Sequence, residues 1–347
     1  MFPQITRKEI GTNERCFTSE TEDAALIGEW RRVSGSTLKI VGIITMFIDH
    51  LGLAVIGRMM TKVILSGAQL DYLNSVYSVM RSIGRLAFPI FCFLLVEGFD
   101  KTRSKAKYLF RLGMFALISE VPFDLAFSAT VLEFGHQNVY FTLFLGLLSL
   151  CVYVLMEKHK LPVPARWFIC VVGVVASSAW LTKFFWQYVQ RYLLSNFSGL
   201  RIFGNAVTAT AMFWVICVLV VIFLLCYRGR MGTDNMLRVG TNLAILFLLM
   251  TLADLLHTDY SGMGVLTITV MYILRNYNVP AMVGGCVALT LKSLKEIPAF
   301  WTLIPIAMYN GKRGLKLKYF FYAFYPAHLL FLWLITWFMG TAFIPVF

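Results

Sequence analysis

The stretch from Leu38 to Gly57, LKIVGIITMFIDHLGLAVIG, is the feature that most constrains what this chain can fold into. It holds twenty residues, almost all apolar, which is enough for a helix to cross the hydrocarbon core of a bilayer. Asp49 and His50 stand side by side well inside this run. A charged side chain at that depth costs about 2.5–3.5 kcal/mol on insertion scales, so it normally faces a protein interior or a wet cavity. We therefore expect the rest of the chain to surround this pair.

Composition places the chain among helical membrane proteins. Hydrophobic residues make up 59% of it and charged residues 14%, with a mean hydropathy of +0.72, whereas soluble domains carry about 25% charged residues. We predict an all-α fold, a polytopic integral membrane helix bundle, with a polar cytoplasmic tail over residues 1–37 and a transmembrane domain over 38–347.

About eleven transmembrane helices are expected, and ten to twelve are allowed because Lys292, Lys295 and Glu296 interrupt the ninth. The predicted spans cover about 38–57, 82–100, 108–128, 138–156, 167–187, 206–227, 239–256, 261–275, 279–297, 299–310 and 319–339.

The net charge of +13 indicates orientation in a membrane rather than binding of nucleic acid. Basic residues cluster in the short loops that follow even-numbered spans, at 101–107, 157–166, 228–238 and 311–318. Because cytoplasmic loops are enriched in lysine and arginine, we predict a multi-pass protein of the cell membrane with a cytoplasmic N-terminus and an external C-terminus. The seven cysteines include no CxxC pair, so we predict neither a disulfide framework nor a metal site.

Charged side chains from several helices are predicted at the depth of His50. A helix rises about 1.5 Å per residue, which puts His50 in the outer half of its span. The other members are Arg81 and Arg85, Glu120 and Asp124, both pairs at i, i+4 spacing, and Asp254, His257 and Asp259. We expect these groups to face one another across the bundle interior.

Two interpretations of this group stay open. In one, the arginines neutralise the carboxylates and hold the bundle together, since buried charges are usually paired. In the other, the group is a catalytic centre, because an imidazole is a neutral base near pH 7 and a neighbouring acid can orient it. In that centre Arg85 pairs with the acids or stabilises an oxyanion. The candidate catalytic residues are His50, Asp49, Arg85, Glu120 and Asp124.

A basic run, NGKRGLKLK, precedes the last span. Lys312, Arg313 and Lys316 in this run could bind phosphate groups, although ordinary charge flanking a membrane helix also explains them. His328, inside the last span, either lines a tunnel or is a satisfied core histidine. We treat these four residues as candidates for binding a phosphorylated donor.

Six blocks of the chain resemble the TraX family. They are IDHLG in the first span, RSIGRLAFPIFCFLLVEGF at 81–99, ALISEVPFDLAF at 116–127, QNVYFTLFLGLL at 137–148, TDYSGMGVL at 258–266 and KYFFYAFYPAHLLFLWLI at 318–335. The resemblance covers roughly 38–156 and 253–338, in order along the chain.

This resemblance implies an activity. TraX is associated with N-terminal acetylation of the conjugative F pilin, and the family looks like a branch of the transmembrane acyltransferases. In that group a histidine within the membrane takes part in moving acetyl from cytoplasmic acetyl-CoA to an acceptor across the membrane. The matching histidine here is His50, with Asp49 beside it.

The expected function is therefore that of a membrane-embedded acyltransferase. Its donor would be acetyl-CoA, with no metal, and its acceptor an amine or hydroxyl on a protein with a pilin-like N-terminus or on an envelope glycan. Membrane lipids are the other expected partner. The alternative is a secondary transporter or proton-coupled exporter that uses the intramembrane carboxylates as a proton relay. An internal repeat would favour the alternative, and the sequence blocks are not duplicated.

Overall fold

The structure, a computed structural model, describes residues 32–62, 66–159, 161–189, 206–315 and 318–346. Within these residues the chain is all-α, and its β contacts are two isolated bridges, Val33 with Tyr309 and Gln137 with Thr258. The first helix begins at Gly35, slightly before the predicted tail boundary, because the Ser34 hydroxyl accepts a hydrogen bond from the Thr37 amide and caps it. Residues 1–31 of the predicted tail lie outside the described part.

We number the helices in chain order. A first rod combines α1 (Gly35–Leu51), a π-helical turn (Gly52–Ile56) and α2 (Gly57–Lys62), and a second combines α3 (Gly67–Gly84) with α4 (Ala87–Lys101). The others are α5 (Lys105–Phe127), α6 (Val139–Lys158), α7 (Val163–Tyr188), α8 (Ala206–Met231), α9 (Thr233–Leu255), α10 (Ser261–Ile273), α11 (Asn278–Lys292), a 3-10 helix (Leu294–Thr302), α12 (Leu303–Ala307) and α13 (Lys318–Phe338).

The predicted all-α membrane bundle is confirmed. In the described part of the chain, 7 helices are long and apolar enough to cross a membrane, and each corresponds to one of the predicted spans. The tenth predicted span, 299–310, is wrong as a single crossing. Pro298 and Pro305 each lack an amide N–H, so this stretch forms a 3-10 helix followed by an α-helix of only 5 residues.

The second rod is longer than expected. The sequence predicted a helix from about 82, whereas α3 begins at Gly67 and runs into α4 through a turn at Arg85 and Leu86. Polar residues such as Gln69 and Asp71 hide this extension from a hydropathy profile, and within α3 only Gly84 is buried. The rod therefore carries the two arginines at its bend rather than at its outer tip.

The structure gathers the predicted basic loops at one end of the bundle. The Gly35 amide donates to the Lys312 carbonyl at 2.8 Å, and the Lys101 ammonium donates to the Gly311 carbonyl at 3.0 Å. Farther round this end, Arg275 pairs with Asp100, and Arg238 pairs with Glu157. We call this the basic end.

Contacts between other loops define the opposite end, which we call the loop end. Here residues 127–138 meet residues 253–262 and 340–346. The Gln137 amide donates to the His257 carbonyl at 3.1 Å, and the Val346 amide donates to the Phe127 carbonyl at 2.7 Å. Between the two ends, small residues let helices approach closely, as where a Cβ on Gly173 of α7 would collide with the Gly240 carbonyl of α9.

Candidate active site

Two imidazoles meet inside the bundle. His50, in the last turn of α1, has its Nδ1 2.8 Å from Nε2 of His328 in α13. The two ring planes lie within 8° of each other and their centroids are 5.1 Å apart. Two imidazoles whose nitrogens are 2.8 Å apart reach a centroid separation this large only when both nitrogens lie on the line that joins the centroids. The rings therefore lie edge to edge in nearly one plane rather than face to face. This is the geometry of an imidazole–imidazole hydrogen bond.

The surroundings of this histidine pair are aromatic and buried. His328 is only 4% exposed. The ring of Phe127 contacts His50 edge-on with centroids 5.2 Å apart, and Tyr325 contacts both imidazoles. The sequence left His328 either as the lining of a tunnel or donor site or as a satisfied core histidine, and the structure places it in the interior against His50.

The chain departs from regular α-helix immediately after His50. Residues Gly52–Ile56 form a π-helical turn, and single π turns occur frequently at functional sites. Gly52 allows this turn to press against the second rod, because a Cβ there would lie 3.0 Å from Cβ of Met80. The π turn therefore holds the outer half of the first rod close to the bend that carries the arginines.

Asp49 pairs with Arg81 rather than with its neighbour His50. The Arg81 guanidinium donates to Oδ2 of Asp49 at 2.7 Å. Gly84 makes the approach possible, since a Cβ built on it would collide with the Asp49 side chain. Among the described contacts, the hydrogen-bond partner of His50 is His328, whereas the sequence had indicated Asp49 or a neighbouring carboxylate.

Arg85 has a partner that the sequence did not indicate. Its guanidinium lies 2.9 Å from Oε1 of Glu296, at the start of the 3-10 helix, and it also interacts electrostatically with Tyr260. Its ion pair is therefore with Glu296 rather than with Glu120 or Asp124, and its charge also acts on Asp49. Glu296 is 5% exposed. In the sequence, Glu296 was noticeable only as a carboxylate that interrupts an apolar run.

Glu120 and Asp124 bind a loop instead of the arginines. The amide N–H of Glu133 donates to Oδ2 of Asp124 at 2.8 Å, and both the backbone and side-chain amides of Asn138 donate to Oε2 of Glu120. Within the described chain neither carboxylate forms an ion pair with lysine or arginine. These two acids, predicted as catalytic candidates, thus hold the connection between α5 and α6 in place.

A cavity of about 500 Å³ opens at the loop end. Its lining includes Trp180, Lys183, His136, His257, Asp259 and Lys292. His136 stacks on Phe123, which contacts Phe127, which in turn contacts His50. Asp259 interacts electrostatically with His50 as well as with His136. Two aromatic side chains, those of Phe123 and Phe127, therefore connect His136 in the cavity lining to His50.

The loop that carries Asp259 is conformationally constrained. His257 and Ser261 adopt left-handed backbone conformations, with φ of 50° and 52°, which non-glycine residues rarely do. Burial opposes the charge on Asp259, but His136, whose Nε2 lies 3.6 Å from Oδ1, and the charge of Lys292 outweigh it. Together they lower the pKa of the Asp259 carboxyl below its ordinary value.

The predicted donor-binding residues do not form one set. Lys312 and Arg313 are exposed at the basic end, in a loop whose backbone carbonyls accept hydrogen bonds from the start of α1. Lys316 lies outside the described residues, and His328 lies with His50 in the interior. The structure therefore separates a basic surface from a buried histidine pair.

Comparison with known proteins identifies the family. The family described as TraX protein matches residues 34–231 and 201–336, which together run from the start of α1 almost to the end of α13. The chain belongs to the TraX family. The match includes residues 157–252, so the family extends beyond the blocks that carried the sequence resemblance.

One curated relative is similar over a shorter region. It is "Probable fimbrial assembly protein FimC, serogroup H1" of Dichelobacter nodosus, 34% identical over 140 residues, which are 38% of this chain and 50% of the relative. The chain thus spans about half the length of that relative. No solved structure matches the chain.

Proposed function

We propose that this TraX family member is a membrane-embedded acyltransferase that moves an acetyl group from cytoplasmic acetyl-CoA to an amine or hydroxyl acceptor on the outer side of the membrane. The observation that carries the proposal is the His50–His328 pair. It lies between a basic end that suits an anionic donor and a cavity that suits an acceptor. A base held by a second, orienting group is the arrangement that acyl transfer requires.

The basic end supports the donor side of the proposal. Lys312 and Arg313 are exposed there, and Lys39 and Lys101 add positive charge nearby. Lysine and arginine bind phosphate oxygens through charge-assisted hydrogen bonds, so this surface fits a phosphorylated donor. We include Lys316, from the same basic run, in the proposed donor surface. When bound, the donor supplies the acyl group as a thioester.

In the proposed mechanism His50 handles the proton. It accepts the proton that the acceptor loses as the acceptor nitrogen or oxygen bonds to the acyl carbon. It then returns a proton to the sulfur as the carbon–sulfur bond breaks, so the imidazole ends the cycle neutral. Arg81 holds Asp49, and Glu296 holds Arg85, so we assign Asp49 and Arg85 to charge balance around His50.

The loop-end cavity supports the acceptor side. Its lining combines aromatic rings with acidic and basic groups, and His136 in that lining is connected to His50 through Phe123 and Phe127. The relative from Dichelobacter nodosus is named as a probable fimbrial assembly protein, which favours a pilus subunit as the acceptor. An envelope glycan is the other acceptor class, and membrane lipids surround the apolar helices. A secondary transporter remains the alternative function.

The proposed orientation puts the basic end in the cytoplasm. It follows the enrichment of lysine and arginine in cytoplasmic loops. We expect a cysteine introduced at Lys105 to resist an impermeant thiol reagent in intact cells and to react after the membrane is permeabilised. Ready labelling in intact cells would reverse the orientation and with it the cytoplasmic donor.

The central test is His50→Gln. Glutamine keeps size and some hydrogen bonding but cannot take up the proton, so acetyl transfer to added acceptor should fall by about 10²–10⁴-fold. The purified variant should still be stabilised thermally by CoA, as should the matched control His159→Gln, which alters an exposed histidine. Near wild-type transfer by His50→Gln would end the mechanism. A wild-type protein that CoA does not stabilise would favour the transporter.

A further inference from the structure

The far side of the histidine pair is anchored to backbone carbonyls. Nδ1 of His328 lies 2.9 Å from the carbonyl oxygen of Phe324, one turn earlier in α13, and also faces the carbonyl of Tyr325. A carbonyl oxygen only accepts hydrogen bonds, so the His328 proton must sit on Nδ1. A neutral imidazole carries a single N–H, which leaves Nε2 of His328 as a bare acceptor.

The bare Nε2 of His328 in turn determines where His50 carries its proton. Its Nδ1 lies 2.8 Å from the bare Nε2 of His328, so His50 must donate from Nδ1. The nearly common plane of the two rings points this N–H along the acceptor lone pair. In a neutral His50, which carries a single N–H, Nε2 is then the nitrogen without a proton. A charged His328 would reverse this order, but it is 4% exposed and, within the described residues, neither of its nitrogens meets a carboxylate.

We propose that His328 is a positioning residue that holds His50 in the Nδ1–H tautomer, so that Nε2 of His50 is the nitrogen that accepts the proton of the acceptor. The assignment of the reaction rests on the proposed function, whereas the tautomer does not. The chain of hydrogen bonds runs from Nδ1 of His50 to Nε2 of His328, and from Nδ1 of His328 to the carbonyl of Phe324.

This series of hydrogen bonds has the role that an acidic side chain has in other acyl-transfer centres. In those centres a third group holds the imidazole in the tautomer that leaves its reacting nitrogen free. Here a neutral imidazole fixed to the backbone takes that place, while the adjacent acid Asp49 is engaged by Arg81. Without the acceptor at His328, His50 can carry its proton on Nε2 and lose its lone pair toward the acceptor substrate.

Two matched substitutions separate positioning from packing. In His328→Gln the amide oxygen can reach the place of the imidazole Nε2 and accept from His50. In His328→Asn the shorter side chain reaches only the place of Nδ1, so the acceptor for His50 is lost. We expect His328→Gln to keep acetyl transfer within about tenfold of wild type and His328→Asn to lose on the order of 10²-fold.

The tautomer itself gives a readout that needs no donor or activity. The chain has 5 histidines, so ¹⁵N-histidine NMR of the purified protein is tractable, and the spectrum of His50→Gln assigns the His50 signals by difference. We expect a protonated Nδ1 and a bare Nε2 on His50 in wild type and in His328→Gln. In His328→Asn the proton should move wholly or partly to Nε2.

The outcomes distinguish this inference from the proposed function. A wild-type His50 protonated on Nε2, or a His328→Asn protein with the wild-type tautomer and full transfer, would overturn the positioning role while leaving the acyltransferase intact. The expected tautomers in a protein that transfers no acyl group would uphold the hydrogen-bond chain and overturn the acyltransferase. Because wild type alone reports the tautomer, a variant that fails to fold does not remove the test.

Discussion

Two sets of carboxylates that look alike in the sequence have different partners in the structure. Asp49 and Glu296 pair with Arg81 and Arg85 at 2.7 and 2.9 Å, around the bend of the second rod. Glu120 and Asp124 accept hydrogen bonds from amides of the loop after α5. All of these acids interrupt apolar runs, so depth in the membrane does not distinguish them.

The difference teaches that the partner, and not the depth, decides what a buried acid does. An acid bound to arginine belongs to a charge network whose loss leaves an uncompensated charge. An acid bound to backbone amides acts as an anchor for the chain that carries those amides. The first set borders the histidine pair, whereas the second shapes the loop beneath which the cavity opens.

The largest effect is expected in the first set. Arg85→Met should lower the free energy of unfolding by about 3–5 kcal/mol, because Glu296 stays buried without its cation. Denaturant titration in mixed micelles measures it, and Arg275→Met, which removes an exposed partner of Asp100, is the matched control. Adding Glu296→Leu to Arg85→Met should restore most of the loss. If the double variant is as unstable as Arg85→Met alone, the unpaired Glu296 carboxylate is not the cause of the loss.

The second set should show an anchoring effect of intermediate size. Asp124→Ala removes the acceptor for the Glu133 amide, and a hydrogen bond to a charged group contributes about 1.5–3 kcal/mol. Limited proteolysis should cut residues 128–138 faster in this variant. Glu120→Gln is the milder companion, because its amide oxygen can still accept from Asn138. If Asp124→Ala leaves the proteolysis of residues 128–138 unchanged but abolishes acetyl transfer, Asp124 acts in catalysis rather than as an anchor for the loop.

A glycine substitution tests the steric condition for the first set. In Gly84→Ala the new methyl group collides with Asp49, and overpacking of this kind costs about 1–3 kcal/mol and displaces the carboxylate from Arg81. Gly67→Ala in the same helix is the control, because apart from its own stretch of helix no described residue lies within 4 Å of the place that its new methyl group would take. Thermal unfolding compares the two. Equal stability of both variants would show that Asp49 has room to move.

The smallest effect is expected for an exposed acid. Asp234 pairs with Arg166 at the basic end, and its side chain is 85% exposed. Asp234→Asn should change the free energy of unfolding by less than about 1 kcal/mol, and high salt should abolish even that difference. A loss as large as that of Arg85→Met would mean that exposure does not separate the two kinds of pair.

Much of the fold could be predicted from local sequence. Seven predicted spans correspond to helices long and apolar enough to cross a membrane, because hydropathy over about 20 residues is a local property. Two parts escaped. The polar helix α3 has no apolar signal, and the two prolines near 300 break a run whose hydropathy alone predicted a crossing.

The site was predictable only in part. His50, Asp49 and Arg85 stand out as polar groups within or beside apolar runs, and that signal needs no tertiary structure. The same signal also selected Glu120 and Asp124, which bind a loop, and it ranked Glu296 only as an interruption. The cost of burying a charged side chain predicts that it has a partner, but it does not identify that partner.

Local composition therefore established a helical membrane bundle, its basic loops and the unusual pair at 49 and 50. The tertiary structure alone decided that His50 faces His328, 278 residues away, and that Arg85 faces Glu296. The physical reason is that hydropathy and helical spacing act over one or two turns. A hydrogen bond between distant helices depends instead on how every intervening helix packs, down to a glycine that lets Asp49 reach Arg81.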